Sequence, residues 1–377
     1  MSVLFMMPVW NAASELWMRR MLDGLEPHLS AVAVCNPPSG RWRGHVRLID
    51  VGLPQGIFGK GLRHLGMYPD MSVGRIRRCV RGNEIQAVLV NYIPFALTYG
   101  GVLFDSGKRV FIHCHGYDTT WDMREYSLER KRVHSEDYED QVRQIPSSVT
   151  FITPCCSVKK RLVGIGIEPN RIRVRKFGIP SDAVFRPRPA RREGVTVLYL
   201  GRLADCKGPD LVIRAFEMAC DRGLSGNLIV AGDGPLNVAC QLIVDRSKWR
   251  DRVTLLGAVD AQTGEKLRRS ADVFTAHSCR GPITNQEEAA GIAFLEAMGS
   301  GLPVVTGRSG GITEYIVDGD NGLFFEPGDV ETHADLLLRL ANDPAMRSEI
   351  GRRAWETVKT DYPLENDSVE FPKILGL

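Results

Sequence analysis

Two basic side chains in this sequence are spaced so that they could bind a polyanionic ligand. Arg202 and Lys207 lie in one short segment, residues 201–208, directly after an apolar run. Gly201 and Gly208 at its ends allow the backbone to approach a ligand closely. Two cations directed at one point suit a diphosphate, and they could take the place of a metal ion in stabilising it. The alternative is a pair of surface cations near a helix start, where positive charge is mildly unfavourable.

Two carboxylates stand on either side of a second glycine. In the segment 287–298, Gly291 opens a predicted helix, whose free N–H groups form an anion site. Glu296 lies about a turn further on and can reach a ribose diol with paired acceptor oxygens. Glu288 precedes the helix and can accept hydrogen bonds from sugar hydroxyls. A carboxylate here could instead cap the helix dipole, which explains Glu288 but not an acidic Glu296 inside an apolar stretch.

Two further positions follow predicted strands. Gly232 begins a turn after an apolar run, and Pro235 marks a predicted helix start. His115 follows the apolar run at 109–113. By themselves, a glycine turn of this kind is usually structural and such a histidine is usually a core residue.

The composition is that of a globular protein with two domains. The chain has 377 residues, 44% hydrophobic and 25% charged, and this length suits two domains better than one. Its apolar runs are strand-sized, far short of the roughly 20 residues of a membrane span. No basic leader precedes the first strand, and nine scattered cysteines without a CxxC pair suit a reducing compartment. We therefore predict a cytoplasmic protein without a metal site.

The small net charge conceals an asymmetry along the chain. Residues 1–190 hold 27 lysines and arginines against 17 acidic residues, and the remainder holds 21 against 28. A basic first half could attract anionic lipid headgroups or a phosphorylated acceptor, which predicts peripheral association with the inner face of a membrane. The alternative is solvated surface charge flanking a linker. The mixed charges at 123–144 favour a solvated helix face over a nucleic-acid site.

Short apolar runs alternate with amphipathic segments throughout, a pattern typical of parallel α/β sheets. Helices are predicted at 14–25, 95–105, 123–144 and 210–220, and from 343 onward. The predicted strands in the first half are 3–7, 30–35, 47–51, 87–90, 109–113 and 149–153. Those in the second half are 195–200, 227–231, 253–256, 271–275, 303–306 and 323–325.

A segment rich in proline and arginine divides the pattern. We predict an acceptor-binding Rossmann-like domain at 1–180, a linker at 181–194, a nucleotide-sugar-binding domain at 195–355 and a tail at 356–377 that packs back on the first domain. Doubly wound sheets bind ligands at the carboxyl ends of their strands. Two such domains facing across a cleft would therefore meet a ligand with the loops named above.

At these residues the sequence resembles the family 4 retaining glycosyltransferases, which have the GT-B fold. The resemblance rests on Glu288 and Glu296 with seven residues between them, on the motif 297–305, on the loop at 201–208 and on the turn at Gly232. It continues through the segments 310–314 and 319–323 and covers about 195–329. The segment 282–287 is similar to transferases that build bacterial exopolysaccharides.

The resemblance implies roles for the residues that match. Arg202 and Lys207 would hold the donor diphosphate, Glu296 the ribose and Glu288 the sugar hydroxyls. His115 matches a histidine close to the transferred sugar. The backbone amides at Gly291 and Ile292, with the loops at Gly201 and Gly232, would complete the donor site. The implied reaction is the transfer of a sugar from a nucleotide-diphosphate sugar, preferably a UDP-sugar, to an acceptor hydroxyl. It would proceed with anomeric retention and without a metal ion or cofactor.

The sequence also departs from the family pattern at three places. No glycine occurs in residues 8–14, where the family has a glycine-rich loop, and this restricts backbone approach from the first domain. Ala290 stands where an aromatic residue is common, and Phe177 where asparagine is. None of these changes removes a charged donor-site group, so we interpret them as changes of specificity.

Two other functions remain open at this point. A GT-B nucleotide-sugar epimerase would use the same fold, but the glutamate pair and the Arg202/Lys207 loop are typical of transferases. A non-catalytic protein that binds a nucleotide sugar would keep the site without turnover, but all the charged residues of the second-domain loops are present.

Overall fold

The computed structural model describes residues 2–10, 16–35, 37–38, 41–52, 68–119, 134–187 and 194–377. These residues form two compact units. In the first unit, residues up to 119 and 135–175 combine with the carboxyl-terminal residues 365–377. The second unit runs from Lys176 to Leu364.

The first unit is built on a sheet whose central strands are apolar and buried along nearly their whole length, as expected when helices cover both faces. Its strands are β1 (Val3–Val9), β2 (Leu29–Cys35), β3 (Arg41–Trp42), β4 (Val46–Asp50), β5 (Ala87–Asn91), β6 (Arg109–His113), β7 (Thr150–Thr153) and β8 (Ile172–Val174). Within the described residues their order is β3-β4-β2-β1-β5-β6-β7-β8. Only the β3–β4 pair among them is antiparallel.

Helices of the first unit alternate with these strands. They are α1 (Leu16–Gly24), α2 (Tyr68–Arg81), α3 (Ile93–Thr98), α4 (Gly100–Leu103), α5 (Tyr138–Arg143) and α6 (Cys156–Gly164). In α2, Ile76 and Val80 lie one turn apart and are buried, whereas the arginines at 75, 77, 78 and 81 are exposed. This amphipathic pattern fixes which side of the helix packs inward.

The second unit contains a sheet in which every described pairing is parallel, in the order β11-β10-β9-β12-β13-β14. Its strands are β9 (Val195–Leu200), β10 (Gly226–Ala231), β11 (Val253–Gly257), β12 (Val273–Ala276), β13 (Val304–Gly307) and β14 (Leu323–Phe325). Its helices are α7 (Pro209–Asp221), α8 (Asn237–Arg246), α9 (Ala261–Ser270), α10 (Ile292–Gly299), α11 (Val330–Asn342) and α12 (Pro344–Asp361). The last helix of the chain, α13 (Glu370–Leu375), is part of the first unit.

The predicted class, two Rossmann-like domains on parallel sheets, is confirmed. Each predicted strand is present within two residues of its expected bounds. Two helix predictions were wrong in part. The segment 95–105 is divided at Tyr99 into two short helices, and in the segment 123–144 a turn at 136–137 precedes the short α5. Residues 123–133 of that prediction, 188–193 of the linker and 11–14 of the first loop lie outside the described residues.

Sequence patterns missed the strands β3 and β8 and the helices α2, α6, α9 and α11. The two strands are only two and three residues long, too short to show alternation. Within the described ranges, every helix is too short or too polar to cross a bilayer.

Candidate functional site

The segment that carries Arg202 and Lys207 leaves the carboxyl end of the central strand β9. Gly201 donates its N–H to the carbonyl of Ala231 at 3.0 Å, which extends the pairing with β10 by one residue. A single turn of 3₁₀ helix at Asp205–Lys207 follows, and Gly208 then forms the N-cap of α7. Both cations therefore lie at the sheet edge where parallel α/β folds bind ligands.

The turn at Gly232 packs directly on this segment. Its φ of +149° is unfavourable for other residues, and a Cβ there would lie 1.8 Å from the carbonyl oxygen of Gly201. Leu203 donates its N–H to the carbonyl of Asp233 at 2.9 Å, so the two loops are joined by their backbones. The predicted helix start at Pro235 was wrong, because α8 begins at Asn237.

Gly291 opens α10 as predicted, in the left-handed conformation with φ +64°. A Cβ at this position would lie 2.4 Å from Cγ2 of Ile312 and 2.7 Å from the hydroxyl oxygen of Tyr315. Tyr315 donates its hydroxyl proton to the carbonyls of Ala290 and Gly291, at 3.0 and 3.1 Å. Tyr315 thus fixes the backbone at 290–291, directly before the amino end of the eight-residue helix α10.

The structure brings the two predicted groups of charges together. Lys207 forms an ion pair with Glu288, and the side chains are 20% and 14% exposed. Arg202 donates to the side-chain oxygen of Gln286 at 3.3 Å. Both cations of the first loop therefore contact the segment 286–288, which leads into Gly291. Partial burial of the ion pair makes it stronger than a surface pair.

A buried carboxylate between these loops was missed by sequence reasoning. Asp205 is 8% exposed. It accepts hydrogen bonds from the backbone amides of Cys206 at 2.9 Å and of Ile283 and Thr284 at 2.7 Å, and from the Thr284 hydroxyl at 2.7 Å. The segment 282–287, noted for its resemblance to exopolysaccharide transferases, is therefore fixed to residues 201–208, which we call the cation loop because they carry Arg202 and Lys207.

Glu296 has a partner that no spacing rule indicated. Its Oε2 lies 3.2 Å from Nη1 of Arg268 on α9. Arg268 occurs in an ordinary charged helix, so the sequence offers no local signal for it. Gln286 and Tyr315 were missed for the same reason, because their importance depends on contacts with residues distant in sequence.

His115 lies in the first unit, two residues beyond β6. Its backbone N–H donates to Oδ1 of Asp118 at 2.8 Å, and its Nε2 lies 3.1 Å from Oδ1 of Asn91. Since Asn91 donates its amide N–H to the carbonyl of Met6 at 3.0 Å, its oxygen faces the imidazole and Nε2 is the donor. The imidazole ring packs against Trp17, with 4.3 Å between ring centroids.

Burial governs the protonation of these groups. It lowers the pKa of His115 well below its usual value, and the nearby positive charge of Arg175 lowers it further. Burial also raises the pKa of Asp118 to about 6, although backbone N–H groups, including that of His115, act in the opposite direction. His115 is therefore a neutral imidazole at pH 7, with one donor nitrogen and one acceptor nitrogen and no charge.

Chemically, the second unit presents an anion-binding arrangement. Two cations, a carboxylate and a helix amino end meet beside three strand ends, and a second carboxylate follows on that helix. Among the residues that the structure describes, no cluster of three or more His, Cys, Asp or Glu side chains could hold a metal ion. The roles assigned to individual residues from sequence stay predictions.

Solved structures with the same fold include WaaG, a glycosyltransferase involved in lipopolysaccharide biosynthesis, which superimposes with a TM-score of 0.73 at 16% identity and covers 100% of both chains. The Anabaena protein HepE, in complex with UDP and glucose, superimposes with a TM-score of 0.75 at 16% identity, covering 100% of this chain and 99% of that one. Fold likeness at this identity concerns architecture alone. Together with the paired parallel-sheet units, it defines the chain as a protein of the GT-B class.

Sequence comparison gives the family. Residues 181–357 match the model of the glycosyl transferases group 1 family. A GDP-mannose-dependent alpha-(1-6)-phosphatidylinositol monomannoside mannosyltransferase of Mycobacterium tuberculosis is 26% identical over 337 residues, covering 85% of this chain and 84% of that one. The amylovoran biosynthesis glycosyltransferase AmsK of Erwinia amylovora is 25% identical over 257 residues, covering 68% and 60%. The resemblance to glycosyltransferases recognised from sequence is confirmed. The family match and the names of these relatives support glycosyltransferase activity, and anomeric retention stays a prediction.

Proposed function

We propose that this chain transfers a hexosyl group from a nucleotide-diphosphate sugar to an acceptor hydroxyl, with anomeric retention and without a metal ion. The observation that carries the proposal is the ion pair between Lys207 and Glu288. Arg202 donates to Gln286 in the same segment, which leads to the amino end of α10. Cations beside a helix N-terminus suit a diphosphate. Glu288, adjacent to them, suits the hydroxyls of the attached sugar.

The proposed mechanism uses the leaving group as the base. The acceptor oxygen attacks the anomeric carbon from the face that the diphosphate leaves, and a diphosphate oxygen takes the acceptor's proton. Arg202 and Lys207 stabilise the negative charge that grows on the diphosphate, together with the N–H groups at Gly291 and Ile292. Removing one preorganised donor of this kind typically costs about 3–4 kcal/mol in the transition state. Neutral His115 contributes hydrogen bonding to the sugar.

UDP is the preferred nucleotide of the donor, and GDP is the first alternative because the mycobacterial relative is named as GDP-mannose-dependent. The names of the two relatives also support an acceptor that is a lipid-linked or glycoconjugate sugar in a polysaccharide-type pathway. The arginines exposed on α2 support a cytoplasmic enzyme that associates peripherally with an anionic membrane. Partitioning onto vesicles of phosphatidylglycerol against phosphatidylcholine would test this last point.

Donor binding is the first experiment. Thermal shifts with UDP-, GDP- and ADP-sugars should reveal a stabilising donor, because a ligand at 100 times its Kd adds about 2.7 kcal/mol. The donor that binds is then incubated with saccharide acceptors in the presence of EDTA. The proposal expects a glycosylated product whose anomeric configuration, read by NMR, equals that of the donor.

Product analysis also separates this function from the two alternatives. Free epimerised sugar formed without acceptor would identify an epimerase. Binding without hydrolysis or transfer, over a broad acceptor panel, would identify a non-catalytic binding protein. Loss of transfer in EDTA, restored by Mg²⁺ or Mn²⁺, would contradict the metal-independent mechanism.

A further inference from the structure

An ion pair joins helix α9 to helix α10, which carries the predicted ribose-binding residue Glu296. Nη1 of Arg268 on α9 lies 3.2 Å from Oε2 of Glu296 on α10. The two side chains are only 14% and 17% exposed. Water therefore screens this pair less than it screens surface pairs, and a charge-assisted hydrogen bond of this kind is directional as well as strong.

The absence of a side chain at Gly264 on α9 leaves room for this guanidinium. Gly264 lies four residues before Arg268, on the same face of the helix, and is buried. A Cβ at Gly264 would lie 3.7 Å from Nη1 of Arg268 and 3.4 Å from Cδ2 of Leu200. A larger side chain at 264 would therefore occupy the place of the guanidinium. Leu200 is the last residue of β9 and directly precedes Gly201, so the ion pair lies beside the start of the cation loop.

We propose that Arg268 is a positioning residue for the donor nucleoside: it holds the Glu296 carboxylate in the orientation that receives the two ribose hydroxyls. This inference rests on the proposed function, in which Glu296 binds the ribose. A carboxylate has about four acceptor positions, so the bond from Arg268 to Oε2 does not exhaust its capacity.

Preorganisation is the physical benefit. A glutamate side chain has three rotatable bonds, and immobilising it when a ligand binds costs affinity. Arg268 fixes the carboxylate before the donor arrives. The consequence is specific: the binding energy gained from the ribose 2′-hydroxyl depends on Arg268, whereas contacts with base and diphosphate do not.

A purely structural ion pair between α9 and α10 makes a different prediction. Its loss would lower stability and weaken every nucleotide to the same extent. The ratio of affinities for a nucleotide and its 2′-deoxy analogue separates the two roles, because only positioning of Glu296 changes that ratio.

The experiment uses the full chain and the variants Arg268→Gln, Arg268→Lys and Glu296→Gln. Arg269→Gln is the matched control, since Arg269 is the next residue of the same helix, is 54% exposed and pairs with Glu265 and Asp182 instead. Calorimetry measures the Kd of UDP, GDP and their 2′-deoxy analogues, and steady-state kinetics with the matching donor measures kcat and KM separately.

We expect Arg268→Gln to raise the donor KM and the Kd of the ribonucleotide about tenfold, a change of about 1.4 kcal/mol. The 2′-deoxy analogue should lose clearly less affinity, because only its 3′-hydroxyl can contact Glu296. At saturating donor, kcat should stay within about threefold of wild type, because the cations that stabilise the leaving group are untouched. Arg268→Lys should restore part of the discrimination, since it keeps the charge but not the planar fork. Combining Arg268→Gln with Glu296→Gln should weaken binding no further than Glu296→Gln alone.

A variant Arg268→Gln with the KM and the ribose discrimination of Arg269→Gln would overturn this inference and leave the proposed function intact. Equal weakening of ribo- and deoxyribonucleotides would also overturn it, in favour of a structural ion pair. A wild-type protein that binds none of these four nucleotides and no ADP-sugar would instead overturn the proposed function, and the inference with it.

Discussion

Thr284 binds Asp205 twice, through its backbone N–H and through its hydroxyl, and both hydrogen bonds are 2.7 Å long. Asp205 belongs to the turn that carries Lys207, and Thr284 to the segment that leads to Glu288. The geometry of the Lys207–Glu288 pair therefore depends on a buried carboxylate that itself contacts no ligand in the proposed mechanism. Hydrogen bonds to a charged group contribute about 1.5–3 kcal/mol each.

The first prediction concerns this connection. Thr284→Val removes the hydroxyl and keeps the backbone bond, and it should lower the free energy of unfolding by about 1.5–3 kcal/mol. Donor KM should rise as well, because the segment that carries Glu288 loses a fixed point. Urea denaturation and steady-state kinetics measure the two effects. Asp251→Ala, at a carboxylate that is 93% exposed, is the control and should stay within about 0.5 kcal/mol of wild type.

The second prediction concerns catalysis by Lys207. Lys207→Ala should lower kcat by roughly two to three orders of magnitude, because one preorganised cation is lost where charge develops on the leaving diphosphate. The fold should persist, as judged by circular dichroism, since the side chain is partly exposed and lies at a loop. Lys248→Ala, at a lysine that is 71% exposed, should keep wild-type turnover. An unchanged kcat in Lys207→Ala would remove this residue from the mechanism.

Gly291 allows a third prediction, with a matched control on the same unit. Gly291→Ala should cost more than 2 kcal/mol, because a left-handed φ alone costs about 1–2 kcal/mol and the new Cβ would also collide with Ile312 and Tyr315. Gly319 has φ +76° and no atom within 4 Å of a Cβ, so Gly319→Ala reports the backbone strain alone. Thermal melts of both variants should separate them, and equal melting temperatures would contradict the close packing behind α10.

The sequence predicted the sheets well because buried parallel strands are continuous apolar runs. It placed β9 and β14 at their observed bounds, and it also predicted that Gly291 would open a helix. The charged site residues could be named because their types and spacing resemble a known family. Their roles still await the experiments above.

What the sequence could not give are contacts between residues far apart in the chain. Asp205 meets Thr284 across 79 positions, and Arg268 meets Glu296 through the packing of two helices. The hydrophobic periodicity of a segment carries no information about such pairs, because none of these residues is unusual for the helix or loop in which it lies. The break at Tyr99 was missed for a related reason: the apolar run continues through it, and only the fold determines where the helix ends.

A chain of buried hydrogen bonds in the second unit gives a prediction on pH. Gly328 donates its N–H to Nε2 of His277 at 2.9 Å, so the ring's proton is on Nδ1, which donates to Nδ1 of His333 at 3.1 Å. His333 in turn donates from Nε2 to the hydroxyl of Thr275 at 2.8 Å. Burial lowers the pKa of His277 to about 4, and it lowers that of His333 well below its usual value.

Both rings are therefore neutral in the fold and become protonated near pH 6.5 when unfolded. Below pH 6.5 the unfolded chain binds more protons, so the free energy of unfolding should fall by about 1.4 kcal/mol per pH unit for each histidine, down to about pH 4 for His277. Urea denaturation at pH 7, 6 and 5 measures this slope. His277→Gln should reduce it, and a slope unchanged in that variant would contradict the prediction.

The final prediction concerns the carboxyl-terminal residues of the first unit. Arg175 and Asp367 form an ion pair with side chains 1% and 5% exposed, and the guanidinium also lies 4.2 Å from the ring centroid of Phe371. Removing one partner of such a pair leaves an uncompensated buried charge and typically costs 3–5 kcal/mol. Asp367→Leu alone should therefore unfold the first unit far more easily than the double variant Arg175→Met, Asp367→Leu, in which no buried charge is left. Urea denaturation followed by tryptophan fluorescence measures these two variants and the single change Arg175→Met. A double variant as unstable as the sum of the two single changes would show that the pair is not coupled.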